Sequence, residues 1–273
     1  MQTSAKTSYV TRTQGSLVLY RGLVSSAASE AGAAMGQPVL AGDVRLLGGE
    51  ISGCNGNATY GVCGNSEVCG VKLSNSKAGV YNFTGKVSDC VFSNLTVAIK
   101  DGRSLDVELV RCRFQNNERN FEICYGGAGA TLVDCDISPA RFPNVLRRWK
   151  NREGEWRSPR ILIKRHLVLR VVDDQGRPVV GALVDVNNER ADGPVPEYGA
   201  TLTDANGLTP PAESGRAIYL VESVEEARET ASAFERYTYN LKISANGKTK
   251  EIKGLVPGND WRDNALNVVI ERR

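Results

Sequence analysis

Five charged residues recur at one spacing and are the first candidates for chemistry. Asp89, Arg111 and Asp134 form one series, and Arg113 and Asp136 a second. Carboxylates so placed could hold a hard cation, and carboxylates beside arginines could take part in proton transfer. The same residues also read as a mutually neutralising ladder, in which exposed pairs contribute only about 0–1 kcal/mol each. The ladder is the preferred reading, so no catalytic residue is assigned. The single histidine, His166, lies in a strand-like segment and reads as structural, not as a general base. No glycine-rich phosphate loop, serine nucleophile elbow or metal-binding histidine pair occurs. No cofactor is expected, and Ca²⁺ enters only if these carboxylates form a cation site.

A second candidate is electrostatic. The net charge of +3 is unevenly spread. Residues 1–137 carry 12 Lys/Arg against 12 Asp/Glu, residues 138–165 carry 9 against 2, and residues 166–273 carry 13 against 17. The basic segment also holds Trp149 and Trp156. Arg147, Arg148, Trp149, Lys150 and Trp156 are therefore candidate binding residues, since cations gather carboxylate or phosphate and aromatic rings stack. An acidic glycan is the expected partner class over nucleic acid. The competing reading is a solvated connector whose tryptophans cover the end of the preceding fold.

All 7 cysteines lie between residues 54 and 135. Cys90, Cys112 and Cys135 are 22 and 23 residues apart and read as stacked, buried thiols. Cys63 and Cys69 flank a glycine-bearing turn and could form a disulfide in an oxidising compartment. The paired C-x2-C spacing of a zinc site is missing. Asn57, Asn82 and Asn94 each begin a glycosylation sequon, which is compatible with export.

The elements that must position these residues are repeats. Val87-SDCVFSN, Leu109-VRCRFQN and Leu132-VDCDIS align without gaps, with fainter copies at Leu73 and Ile51. Matching apolar positions Ile51, Leu73, Phe92, Phe114 and Ile137 are spaced 22, 19, 22 and 23. Between them lie TYGVC, AGVYNF, TVAIKD and NFEICY, a second family of short strands. One such period cannot bury its apolar face alone, but a stack of them makes a continuous core. Alternation puts Ser88, Cys90 and Phe92 inward, with Val110, Cys112, Phe114 and Val133, Cys135, Ile137 beneath them. Asp89–Arg111–Asp134 and Val91–Arg113–Asp136 then point outward.

On these motifs residues 44–138 resemble the right-handed parallel β-helix repeats of the pectate-lyase-like superfamily. That resemblance implies a fold shared by lyases, glycosidases, phage tailspikes and microbial surface proteins, and a lyase of this kind would need Asp ligands for Ca²⁺ and a Lys or Arg to take the proton. The Gly-His-Gly motif of its polygalacturonase-type members is absent. Upstream, SLVLYRGLVSS reads as an earlier rung and AASEAGAAMGQP as a loop or short cap helix.

From Ile161 the pattern changes. ILIKRHLVLRVV alternates as a strand, DDQGRP turns, and Asn246-Gly247 marks a hairpin. VVDDQGRPVVGALVDV followed by TDANG resembles the carboxypeptidase regulatory-like, or transthyretin-like, modules of exported proteins. SVEEARETASAFERY reads as a short helix or a long insert.

The expected architecture is all-β. A right-handed parallel β-helix spans 1–138, with 1–43 a cap or first rung. A basic tryptophan-bearing junction covers 139–160, and an Ig-like or transthyretin-like β-sandwich covers 161–273. No apolar run reaches the roughly 18 residues of a membrane span. The first residues hold no apolar h-region, so the chain reads as cytosolic or as a mature or truncated piece of an exported protein. The two resemblances together imply a non-catalytic extracellular or cell-surface protein, structural or adhesive. It would meet acidic glycan or other surface proteins and is open to self-association. A polysaccharide-active lyase, or a glycan-binding remnant of one, and a virion fibre or tailspike component are the alternatives.

Overall fold

Residues with positive φ turn the chain at regular intervals. Gly48, Gly70, Asp89, Arg111 and Asp134 do so at one corner, with φ between 51° and 72°. Asn75, Asn94 and Asn116 do so at a second, with φ between 51° and 55°. Glycine, asparagine and aspartate enter this left-handed region most readily. The computed structural model describes residues 17–20, 23–25, 44–52, 57–60, 66–81, 83–101, 105–124, 129–137, 144–188, 199–212, 214–258 and 265–271. All the regular elements among them are strands. None is a helix long and apolar enough to cross a membrane. The chain divides into two units, residues 1–161 with 225–234, and residues 162–224 with 235–273.

The first unit is a β-solenoid of three parallel sheets. The first sheet runs through Leu17–Tyr20, Val44–Leu47, Ser66–Cys69, Thr84–Ser88, Asp106–Val110 and Gly129–Val133. The second holds Leu23–Ser25, Glu50–Ser52, Lys72–Ser74, Val91–Ser93 and Arg113–Gln115. The third holds Asn57–Tyr60, Ala78–Tyr81, Val97–Lys100, Arg119–Ile123 and Val145–Leu146. Residues 66–81, 84–100 and 106–123 each complete one coil. Leu17–Tyr20 and Leu23–Ser25 pair in register with the next coil, as an earlier rung would. The stretch expected as a cap helix lies outside the described residues.

Each sheet contributes one apolar column to the core. Val68, Val87, Leu109 and Leu132 stack from the first sheet, Leu73, Phe92 and Phe114 from the second, and Val80, Ile99 and Phe121 from the third. All are buried. The Phe92 and Phe114 rings lie 5.0 Å apart and nearly parallel. An aromatic pair of this kind adds about 0.5–1.5 kcal/mol beyond its area. Room inside is limited. At Gly79, an added Cβ would come within 2.7 Å of the Ala98 carbonyl oxygen.

Cys90, Cys112 and Cys135 stack in the interior as the repeats require. The alternation expected across them differs in one respect. Asp89 and its counterparts break each segment into two strands, so the phase resets at the corner. The inward residues of the first sheet are Val87, Leu109 and Leu132, while Val110 and Val133 are only half-buried. Asp134, expected to point outward, is covered.

Corner lengths follow a rule. In the coils of residues 66–81, 84–100 and 106–123 the first corner is Gly70–Val71, Asp89–Cys90 or Arg111–Cys112, and the second 75–77, 94–96 or 116–118. The third, leading back to the first sheet, is 82–83 in one coil but 101–105 and 124–128 in the next two. The 19-residue spacing between Leu73 and Phe92 is therefore a short third corner.

The second unit is built on an antiparallel sheet ordered Ala200–Leu202, Leu183–Asn188, Tyr239–Ala245, Lys248–Leu255. Leu169–Val172 and Leu266–Val269 form a separate parallel pair. Leu169, Val171, Val184, Val186, Leu241 and Val268 contribute to a single apolar cluster. Two turns share one design. Asp173 Oδ1 accepts from the Gln175 and Arg177 amides, and Asp204 Oδ1 from the Asn206 and Leu208 amides. Gly176 and Gly207 supply the positive φ that closes each. Arg165 and Glu222 form a buried ion pair at 2.6 Å. His166 ends the strand Arg160–His166, and its Nε2 donates to the Pro210 carbonyl at 2.8 Å.

One expectation is overturned. The stretch from Ser223 to Tyr237 is not a short helix, while its residues 225–234 belong to the first unit, as a long insert in the second would. It continues the strand Tyr219–Ala227, turns where the Arg228 amide donates to the Ala231 carbonyl at 3.0 Å, and returns as Ser232–Arg236. Buried Leu220, Val221, Val224 and Ala227 fix the segment as a strand despite its helix-forming glutamates.

Candidate functional site

The charged ladder is built by the solenoid's own period. Lys72–Glu50, Lys86–Glu108, Lys100–Glu122 and Arg111–Asp89 are ion pairs at 3.1, 3.7, 2.7 and 2.8 Å, each between residues 22 apart. The first three are direct register partners on neighbouring coils. Hydrogen bonds from Lys72 and Ser74 hold Glu50 below the ordinary carboxylate pKa. At Glu122 burial pushes upward, but Lys100 and Arg119 outweigh it and hold the carboxyl low.

Arg111 grips Asp89 with two bonds, Nε to Oδ1 at 2.8 Å and Nη2 to Oδ2 at 2.9 Å. Arg113 lies one coil above Asp136. The structure thus brings the five lyase-type candidates onto successive coils, with Asp89 and Arg111 bound to one another. Among the described residues no three His, Cys, Asp or Glu side chains converge into a metal-holding group.

The thiols are structural in their surroundings. Cys112 Sγ donates to the Val87 carbonyl at 3.5 Å, and the Cys112 amide donates to Cys135 Sγ at 3.4 Å. The flanking thiols and burial push the Cys112 pKa well up. Cys69 is half-buried in the first sheet, whereas Cys63, its candidate disulfide partner, lies outside the described residues. Asn94 is exposed at the second corner. Asn57 lies in a strand whose side chains are outside the description, as is Asn82.

The basic stretch carries more regular structure than a connector. Val145–Leu146 adds a strand to the third sheet beside Glu122 and Ile123. Trp149–Lys150 and Trp156–Arg157 then pair as an antiparallel hairpin. The hairpin bend is fixed by Asn151, whose Oδ1 accepts from the Glu155 amide at 2.8 Å. Lys150 faces Trp156 across the strands, with Nζ 5.1 Å from the ring centre, and the Arg148 guanidinium carbon lies 4.9 Å from it. Trp156 is 55% exposed and so is a platform for these cations, not a core residue.

Beside the hairpin is a cavity of about 660 Å³, within the range of small-molecule sites. Residues 144–148 and Trp156 form one wall, and residues 228–232 the other. Both walls belong to the first unit. Arg148 Nη1 donates to Glu229 Oε1 at 3.2 Å. Asn144 Nδ2 donates to Glu225 Oε2 at 2.7 Å, and Ser232 Oγ to Glu225 Oε1 at 2.8 Å, so Glu225 ties the walls together. Asn144 Oδ1, Arg148 Nε and Trp149 Nε1 are buried without a hydrogen-bond partner among the described residues.

Of the binding candidates read from sequence, Arg147, Arg148 and Trp156 line this cavity. Lys150 is held on Trp156, and Trp149 is half-buried in the same hairpin. Sequence reasoning missed the opposite wall. Glu225 and Glu229 are each 81 residues from their partners, and no local pattern links them.

Compared with protein-family models, curated proteins and solved structures, the chain matches none of them.

Proposed function

We propose that this chain is a non-catalytic extracellular or cell-surface protein, structural and adhesive. Its solenoid is a right-handed β-helix scaffold, and residues 161–273 are a transthyretin-like β-sandwich module. The basic hairpin around Arg147–Trp156 is the docking place for an acidic glycan. One observation carries the non-catalytic reading. Arg111, the best-placed candidate base, donates two short bonds to Asp89, the carboxylate that a Ca²⁺ site would need. An arginine so engaged is a stabilised cation and a poor proton acceptor. The sandwich reading is supported by the shared apolar cluster of the antiparallel sheet and the parallel pair.

The test has two arms. Incubation with polyuronide and Ca²⁺ should release no unsaturated product. Co-sedimentation with acidic polysaccharide should succeed at low salt and weaken as ionic strength passes about 0.15 M, where the screening length is about 8 Å. Calcium-dependent turnover that Arg111→Ala abolishes, with the fold intact, would establish a lyase instead.

A further inference from the structure

The cavity beside the hairpin already holds a carboxylate. Glu229 is 84% exposed, yet its Oε1 accepts from Arg148 Nη1. At 3.2 Å the bond is longer than the roughly 2.7–2.9 Å of a strong charge-assisted pair, and this contact uses one guanidinium nitrogen. Arg148 Nε has no partner among the described residues. The guanidinium is nevertheless positioned, because it lies against the Trp156 ring. A carboxylate free to approach in plane can take two bonds from an arginine where Glu229 takes one.

The rest of the lining specifies what the carboxylate should be attached to. Thr230 and Ser232 offer hydroxyls, and Asn144 an amide, for several ligand hydroxyl groups. Val145, Leu146 and Ala231 offer apolar surface for a ring's C–H face. Arg147 and Arg228 add positive charge at the rim. One carboxylate, several hydroxyls and a compact C–H face describe a sugar acid. An uncharged sugar would leave the Arg148–Glu229 pair undisturbed and lose the main attraction.

We propose that the cavity between residues 144–148 and the 228–232 turn binds a sugar acid, and that Glu229 occupies the seat of the ligand's carboxylate and gives way to it. This rests on the acidic-glycan reading above and narrows it to one pocket. It makes Glu229 a built-in competitor, so removing its charge should strengthen binding.

The test is a ligand-observed NMR titration of the full chain with glucuronate, using glucose and inorganic sulfate as controls. Glucuronate should bind and glucose should not, with sulfate weaker than glucuronate. Glu229→Gln should tighten glucuronate binding about fivefold, the upper range for releasing an exposed ion pair. Arg148→Gln should abolish it, and melting temperatures show whether either variant disturbs the fold. Glu229→Gln decides the matter, because its exposed side chain can change without unfolding the protein. Unchanged affinity in Glu229→Gln, equal binding of glucose, or equal binding of sulfate overturns the proposal. Salt-sensitive binding of a long polyuronide without glucuronate binding would sink this pocket and leave the broader reading standing. Loss of both would sink both.

Discussion

Arg111 reaches back one coil to hold both carboxylate oxygens of Asp89, and both residues adopt positive φ, 52° and 55°. For Asp89 this conformation is ordinary, but an arginine has no local reason to adopt it. The stack imposes it. The Arg111 amide must donate to the Val133 carbonyl at 2.9 Å, as the Asp89 amide donates to the Val110 carbonyl.

That relationship separates two substitutions. Arg111→Ala loses an exposed ion pair and keeps the strained backbone, so it should cost about 0–1 kcal/mol. Arg111→Gly loses the same pair but relieves the strain, and should be more stable than Arg111→Ala by about 1 kcal/mol. Urea melts of the two variants check this. Equal stabilities would show that the corner is not strained.

Phe92 is fully buried and stacks on Phe114. Phe92→Ala should cost about 3–5 kcal/mol through the lost side chain and the cavity left behind. Exposed Thr96 on the same coil should tolerate alanine within about 0.5 kcal/mol. Thermal denaturation followed by circular dichroism distinguishes them.

Stability should fall on both sides of neutrality. Glu50 and Glu122 have folded pKa values below the ordinary carboxylate value. Their contribution is present above the unfolded pKa of about 4.3 and is lost as pH falls through the lower folded values. Cys112 is shifted upward, so its contribution is full below about pH 8.5 and is lost as pH rises toward the folded value. Melting temperature against pH reads both limbs. Lys72→Met should shrink the Glu50 part of the acid limb.

The hairpin charges and its half-buried Trp149 should separate docking from stability. Replacing Arg147 and Lys150, both exposed, by serine should cost polyanion binding and leave the melting temperature nearly unchanged. Trp149→Ala removes a half-buried side chain and should destabilise by about 1–3 kcal/mol. A melting temperature that dropped equally in both variants would make the cations structural.

A fragment spanning 162–273 should fold cooperatively around the Leu167–Ile270 apolar cluster. Residues 225–234 belong to the first unit, so in that fragment they lose their packing. Trypsin should then cut at Arg228 in the fragment faster than in the full chain. Equal rates would place the excursion with the second unit.

The solenoid was legible because stacking forces like onto like. Cys90, Cys112 and Cys135 mark the period, and Leu73, Phe92 and Phe114 share a register column. The corner between Ser88 and Val91 was not legible, because a left-handed Asp89 looks like any outward residue of an alternating strand. The four ion pairs one period apart were present in the sequence, but they emerge only after the coils are aligned. Half of the cavity was hidden for another reason. Glu225 and Glu229 reach their partners through tertiary packing, and their own segment has the composition of a helix.

The unequal third corner has an engineering consequence. From residue 66 to 123 the first two corners keep one length each, while the third takes 82–83 in one coil and 101–105 in the next with the strand register kept. Such a site behaves as a cassette. Foreign peptides spliced between Asp101 and Leu105, which are both buried, should be accommodated without breaking the ladder on either side, at a loop-closure penalty of only about 0.6 kcal/mol per doubling of length. Inserting a single residue between Ser88 and Val91 should instead throw every later coil out of phase.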